Sequence, residues 1–233
     1  MEKPLCVVAG FGPGNGAAFC RRFLQAGYRV AILARDKDRL MEYAEASDDI
    51  LPFPCDLSDP EATTSVFESI IGSAGIPDVL IYNAGSGMFG QALDVSLEDF
   101  ESAWRINALG LLASSKAIAS GMLQRGSGCI LVTGATASLR GGANFAAFSA
   151  AKAAQRNLTQ SLARSLGSRG IHVALVIVDG VIDLPRTREM FADKPDSFFL
   201  RPDAIAETFY QLSIQDASAW TFEIDLRPSG ESW

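Results

Sequence analysis

A chain of 233 residues, 48% of them hydrophobic and 20% charged, is long enough to bury one substantial core as a single α/β domain. Its formal charge of −7 argues against a nucleic-acid groove or an anionic membrane surface, which need clustered Lys and Arg, and points to a small-molecule ligand. Cys6, Cys20, Cys55 and Cys129 are scattered without a C-x-x-C pair and read as reduced core thiols. No metal site is expected, no apolar run approaches a membrane span, and the N-terminus lacks signal-peptide features, so a soluble, cytoplasmic protein is expected.

Short apolar runs at 5–9, 29–34, 50–53, 79–82, 128–133 and 172–178 alternate with stretches of helical period, and a last run lies at 220–226. Continuous apolar strands separated by helices are what a parallel sheet covered on both faces requires. The expected class is therefore α/β, a doubly wound parallel sheet in a single domain spanning 1–233.

The first strand runs into "AGFGPGNGAAFCRRFLQAGYRV", a glycine-rich turn opening a helix that ends near Gly27. Gly10, Gly12, Gly14 and Gly16, with Pro13 and Asn15 between them, let the backbone turn tightly and bring free N–H groups of the helix N-terminus against a pyrophosphate. The second strand ends "AILARDKDRL". Arg35 there suits a ribose 2′-phosphate through its fork of donors, and Ala34 supplies no carboxylate for a free 2′-hydroxyl. Asp36 competes for the ribose, or caps the helix beginning at Lys37. NADP is expected over NAD.

With "CDLSD", "NAG" and a helix carrying a lysine added to that turn, the chain resembles the short-chain dehydrogenase/reductase family over nearly its whole length, which implies an NAD(P)-binding Rossmann fold. The resemblance places Asp56 and Leu57 beside the adenine, Asn83, Ala84 and Gly85 at the cofactor ribose, and Gly180 and Ile182 in the segment after the sixth strand. Asn107, in "WRINALG", corresponds to the Asn that holds a water and orients the catalytic Lys, which is Lys152. The family's chemistry uses a Tyr one helical turn before that Lys and a Ser on the fifth strand. Phe148 stands at the Tyr position and Ala135 at the Ser position, and Phe145 stands where the enoyl reductases of the family place their Tyr. A benzene ring has no proton to give.

Thr133, Thr136 and Ser138 flank Ala135 as substitutes, whereas Ser149 is expected to face another side of its helix. Tyr82 lies near the site at a strand end, where successive side chains alternate between faces, and His172 is expected to be structural. In "DGVIDLPRT", Asp179 replaces the family's Pro and Leu184 its Thr, with Thr187 nearby. Asp179 and Asp183 are read equally as site carboxylates or as loop and capping residues, and Phe191, Phe198 and Phe199 as an apolar closure.

Two readings remain open. One is an oxidoreductase acting on a small carbonyl, alcohol or activated alkene without the usual Tyr. The other is an NADP-binding sensor or regulatory subunit without turnover. The resemblance also implies a homodimer or homotetramer paired through helices at 97–123 and 147–166.

Overall fold

The apolar runs form strands because unbroken apolar, often β-branched, side chains fill a sheet covered on both faces. The computed structural model describes residues 3–87 and 89–230. In chain order it contains β1 (Leu5–Ala9), α1 (Asn15–Gln25), β2 (Arg29–Ala34), α2 (Lys37–Ala44), β3 (Ile50–Pro54), α3 (Pro60–Ala74) and β4 (Val79–Tyr82). There follow α4 (Leu97–Trp104), α5 (Gly110–Arg125), β5 (Gly128–Ala135), α6 (Ala146–Leu166) and β6 (Ile171–Val178). The chain continues through β7 (Val181–Ile182), α7 (Pro185–Met190), β8 (Phe199–Leu200), α8 (Pro202–Ser213) and β9 (Glu223–Leu226).

Seven strands form one parallel sheet in the order β3-β2-β1-β4-β5-β6-β9, and β7 pairs separately with β8. One core lies on the face of α1 and α8, around Phe19, Phe23 and Phe209; the other lies on the face of α3, α5 and α6, around Phe67, Ile70, Leu111 and Ile118. All four cysteines are buried and free. The order reverses between β1 and β4, and a crevice at the carboxyl ends of such strands is where doubly wound sheets bind ligands.

Three expectations need correction. β5 runs on to Ala135, because it pairs with β6 in register as far as Val178. The last strand starts at Glu223 rather than Trp220, whose indole stacks on the His172 ring at 5.0 Å. The helical stretch Leu97–Arg125 is, by length and composition, apolar enough to cross a membrane, and half of its most apolar part is buried in the fold. Packing accounts for that character: Leu111, Ile118 and Met122 belong to the core.

That stretch also contains a π turn, Arg105–Leu109, between α4 and α5. Such insertions are frequent at functional sites. Tyr82 and Leu57 help to hold it. The Tyr82 hydroxyl donates to Ile106 O at 2.5 Å, and Gly110 lies so close to the chain that a Cβ there would meet Leu57 O at 2.2 Å. Tyr82 is fully buried, and burial pushes its phenol pKa far up, so it is a structural tie and not a proton donor to the cleft.

Candidate active site

A cleft of about 1140 Å³ opens above the reversal in strand order. Its floor is the turn between β1 and α1. Gly10 has φ +97° and no room for a side chain, since a Cβ would lie 2.3 Å from Ala84 N. A Cβ on Gly16 would lie 2.8 Å from Phe11 Cα, and Leu184 folds over Gly14. The first backbone bonds of α1 run from Ala17 to Gly12 O (2.9 Å) and from Ala18 to Gly14 O (3.1 Å), which leaves earlier N–H groups for an anion. Asn15 Oδ1 is buried in the same turn without a partner among the described residues. A side-chain-free cradle with spare donors fits a dinucleotide pyrophosphate. Pro13 is exposed, is not among the described residues that line the cleft, and has no N–H to offer.

Arg35, Asp56 and Leu57 line the end of the cleft beside β2 and β3. Asp36 does not: its carboxylate accepts from Arg39 N (3.1 Å) and caps α2. Partial burial disfavours the Asp56 carboxylate, but bonds from the Ser58 N–H (2.9 Å) and hydroxyl (2.7 Å), with the Arg35 charge, outweigh it and bring the pKa down. Asn83, Ala84 and Gly85 follow β4 along the wall. The Asn83 amide is already engaged, donating to Gly10 O (2.8 Å) and accepting from the Thr133 hydroxyl (3.1 Å), so it ties the ends of β1, β4 and β5 together.

Lys152 occupies the other end. It is 5% exposed, and Nζ donates to Thr133 O (2.8 Å) and Gln155 Oε1 (2.9 Å). Gln155 Nε2 donates in turn to Asn107 O (3.0 Å), on the π turn. Burial among neutral partners disfavours the ammonium and lowers the Lys152 pKa to about 7. Asn107 does not line the cleft; it lies behind Gly85, with Nδ2 on Ala103 O (2.8 Å) and Oδ1 unpartnered among the described residues. Gly85 keeps the space beside both groups open, as a Cβ there would be 3.0 Å from Asn107 Oδ1 and 3.5 Å from Lys152 Nζ.

Phe148 and Ala135 both line this end, and the Phe148 ring centroid is 5.9 Å from Lys152 Nζ. No tyrosine is among the described lining residues. Ser149 also lines the cleft, against expectation: it lies three residues before Lys152 and shares its helix face. Its buried hydroxyl has no partner among the described residues. Gln155 was missed by sequence reasoning; its only signal was a polar residue on the Lys152 face of an alanine-rich helix.

Beyond β6, Gly180, Ile182 and Thr187 line the cleft. Thr187 Oγ1 donates to Ile182 O (2.6 Å), which holds the loop together. Asp183 pairs with Arg188 (2.7 Å) outside the site. Asp179 is buried at the end of β6, pairs with Arg227 (2.6 Å) and accepts a very short bond from the Thr136 hydroxyl, which lines the cleft. His172 lies at the start of β6, at the opposite end of that strand, and its ring nitrogens face Leu212 O (3.1 Å) and Thr221 O (2.8 Å).

A family model described as short chain dehydrogenase matches residues 5–195. The chain belongs to the short-chain dehydrogenase family. Carbonyl reductase family member 4 of Danio rerio is 33% identical over 174 residues, 74% of this chain and 73% of that protein. The crystal structure of a short-chain dehydrogenase from Rhodopseudomonas palustris matches with a TM-score of 0.84 at 31% identity, over 98% of this chain and 100% of that one. An alcohol dehydrogenase from the archaeon Thermococcus sibiricus, complexed with 5-hydroxy-NADP, matches with a TM-score of 0.87 at 25% identity over 99% of both chains. This short-chain dehydrogenase thus shares the fold of oxidoreductases whose solved structures include NADP complexes.

The buried Lys152 makes one prediction independent of turnover. Its pKa falls from 10.5 unfolded to about 7 folded, so between those values the unfolded chain binds a proton that the native chain does not, and this group's contribution to stability rises with pH. Urea titrations from pH 7 to pH 10 should show wild type gaining at least about 1 kcal/mol relative to Lys152→Met. A pH-independent difference would mean that the ammonium is not desolvated.

Proposed function

We propose that this short-chain dehydrogenase is an NADP(H)-preferring oxidoreductase acting on a small carbonyl, alcohol or activated alkene, without the family's usual phenol and with Lys152 as the group that holds the proton. The supporting observation is the end of the cleft, where a phenyl ring stands beside a buried amine with two fixed acceptors. When bound, the nicotinamide supplies or takes the hydride. The glycine turn would hold the pyrophosphate and Arg35 the ribose 2′-phosphate, while Gly85 leaves access to Lys152. As an ammonium, Lys152 has one hydrogen beyond the two given to Thr133 O and Gln155 Oε1. Passing that hydrogen to a carbonyl oxygen leaves a neutral amine with both remaining bonds intact.

A second reading, a cofactor-binding sensor or regulatory subunit, draws on the same observation. The amine is engaged by the protein and its neighbour on the helix is a ring without a hydroxyl. Loss of nicotinamide absorbance with simple aldehydes, ketones and enones separates the two. For the oxidoreductase, wild type turns over, Lys152→Met loses about 10²–10⁴ of the rate, and reduction falls as pH rises through about 7, where the acid form disappears. For the sensor, wild type is inactive and Phe148→Tyr, combined with Ala135→Ser, creates activity.

Arg35 carries the cofactor preference. A charge-assisted contact to a phosphate contributes about 1.5–3 kcal/mol, so NADPH should bind at least about tenfold more tightly than NADH, and Arg35→Ala should remove that difference. Titration by nicotinamide fluorescence reads both. Equal affinities in wild type reject the assignment.

We also propose a cytoplasmic homodimer or homotetramer. Leu97, Phe100, Trp104 and Leu112 are exposed apolar residues at helical spacing along α4 and α5, which suits a self-complementary helix pair. Light scattering should give an oligomer mass at micromolar concentration, and Trp104→Glu should lower it. A monomeric wild type rejects the proposal.

A further inference from the structure

The chain carries 27 acidic residues against 20 basic ones, yet the cleft wall reverses that balance. Asp56 is the only carboxylate among its described lining residues, whereas Arg35, Arg140, Arg186 and Lys152 all contribute to it. Arg35 lies at the end beside β2 and Asp56. Arg140 lies on the segment between β5 and α6 and Arg186 on α7; both line the cleft, and neither guanidinium has a hydrogen bond or ion pair among the described residues. Several other arginines of the fold are matched, among them Arg21 with Asp203, Arg22 with Glu207, Arg125 with Asp78, Arg156 with Glu223, and Arg188 with Asp183 and Asp196.

Each of the two arginines comes with an apolar companion. Arg186 and Met190 both line the cleft and are one turn apart on α7, so one helix face presents a cation and a thioether together. Arg140 leads into the segment before α6 that ends at Phe145, whose ring packs edge-on against Phe89 at 5.3 Å. A bridge between Gly90 and Phe145 fixes that pair of segments as one wall. The Phe148 ring lines the same cleft. One cleft thus brings apolar side chains and two exposed, unmatched guanidiniums together, in a chain whose net charge is negative.

We propose that Arg140 and Arg186 form an anion subsite for the substrate, and that the substrate class is a carboxylate or similar anion on an aromatic or otherwise apolar body. The proposal rests on the oxidoreductase reading only in naming the ligand a substrate; the subsite itself is a binding property. Guanidinium forks match carboxylates in a planar geometry, and low-dielectric walls focus their field. The phosphates of the cofactor have other donors, in the glycine turn and at Arg35.

Calorimetry in the presence of NADP tests it with 4-methylbenzoate, which has no carbonyl to reduce, and its neutral counterpart 4-methylbenzamide. The carboxylate should bind at least tenfold more tightly than the amide, and high salt should narrow the gap. Arg140→Ala and Arg186→Ala should each weaken the carboxylate several-fold, and the double variant should reduce it to the level of the amide. Amide and NADP affinities should stay unchanged. Equal binding of the two probes, or a carboxylate preference that survives in the double variant, overturns the proposal. So does a loss of NADP affinity in the single variants, which would assign the arginines to the cofactor. A carboxylate preference without any redox turnover removes the oxidoreductase reading and leaves the subsite standing.

Discussion

The backbones leaving β1 and β4 touch, and the cleft depends on that contact. Gly10 stands at a positive φ with Ala84 N where its side chain would be, and Asn83 closes the approach by donating to Gly10 O while accepting from Thr133. Two adjacent parallel strands whose following segments diverge leave a crevice between them. Here a tie of one amide keeps the bottom of that crevice narrow and the top open. The spare N–H groups of α1 and the open wall at Gly85 are consequences of the same contact, because both sit on segments it fixes.

At the other end the governing cost is burial of polar groups. An amine taken out of water needs partners, and Lys152 finds a backbone carbonyl on β5 and a side-chain amide one turn along its own helix. Gln155 is in turn satisfied by Asn107 O, a carbonyl that belongs to the π turn. The chain of bonds therefore crosses from α6 to the helix beside it and binds the irregular turn into the site. The neutrality of every partner leaves nothing nearby to offset desolvation, so the amine titrates near the physiological range instead of far above it.

How far the sequence disclosed this differs from residue to residue. The strands were legible because covered sheets demand unbroken apolar runs. The glycine turn was legible because close backbone approach excludes every side chain and so leaves a mark in composition. Arg35 and Asp36 illustrate where such reading stops: they are neighbours at a strand end, both suited to a ribose, and only the direction each takes assigns one to the cleft and the other to a helix cap. The π turn leaves no compositional trace, and an insertion of this kind rotates every later position on its helix. Ser149 is adjacent to Phe148, which suggests another face, but its three-residue spacing from Lys152 puts it on the cleft side. Gln155 was invisible because a glutamine among alanines reads equally well as a surface residue.

The ion pair between Asp179 and Arg227 joins the end of β6 to the end of β9, and the Thr136 hydroxyl leans on the same carboxylate from the cleft side. All the described residues that line the cleft precede β9 in the chain. As the polypeptide is synthesised, the cleft is therefore laid down while one sheet edge is still open and Asp179 has no counter-ion. A buried carboxylate in that condition is strongly unfavourable. The final strand acts as a latch: a product ending before residue 223 would keep each lining side chain and still lose the charge that settles the ground behind Thr136.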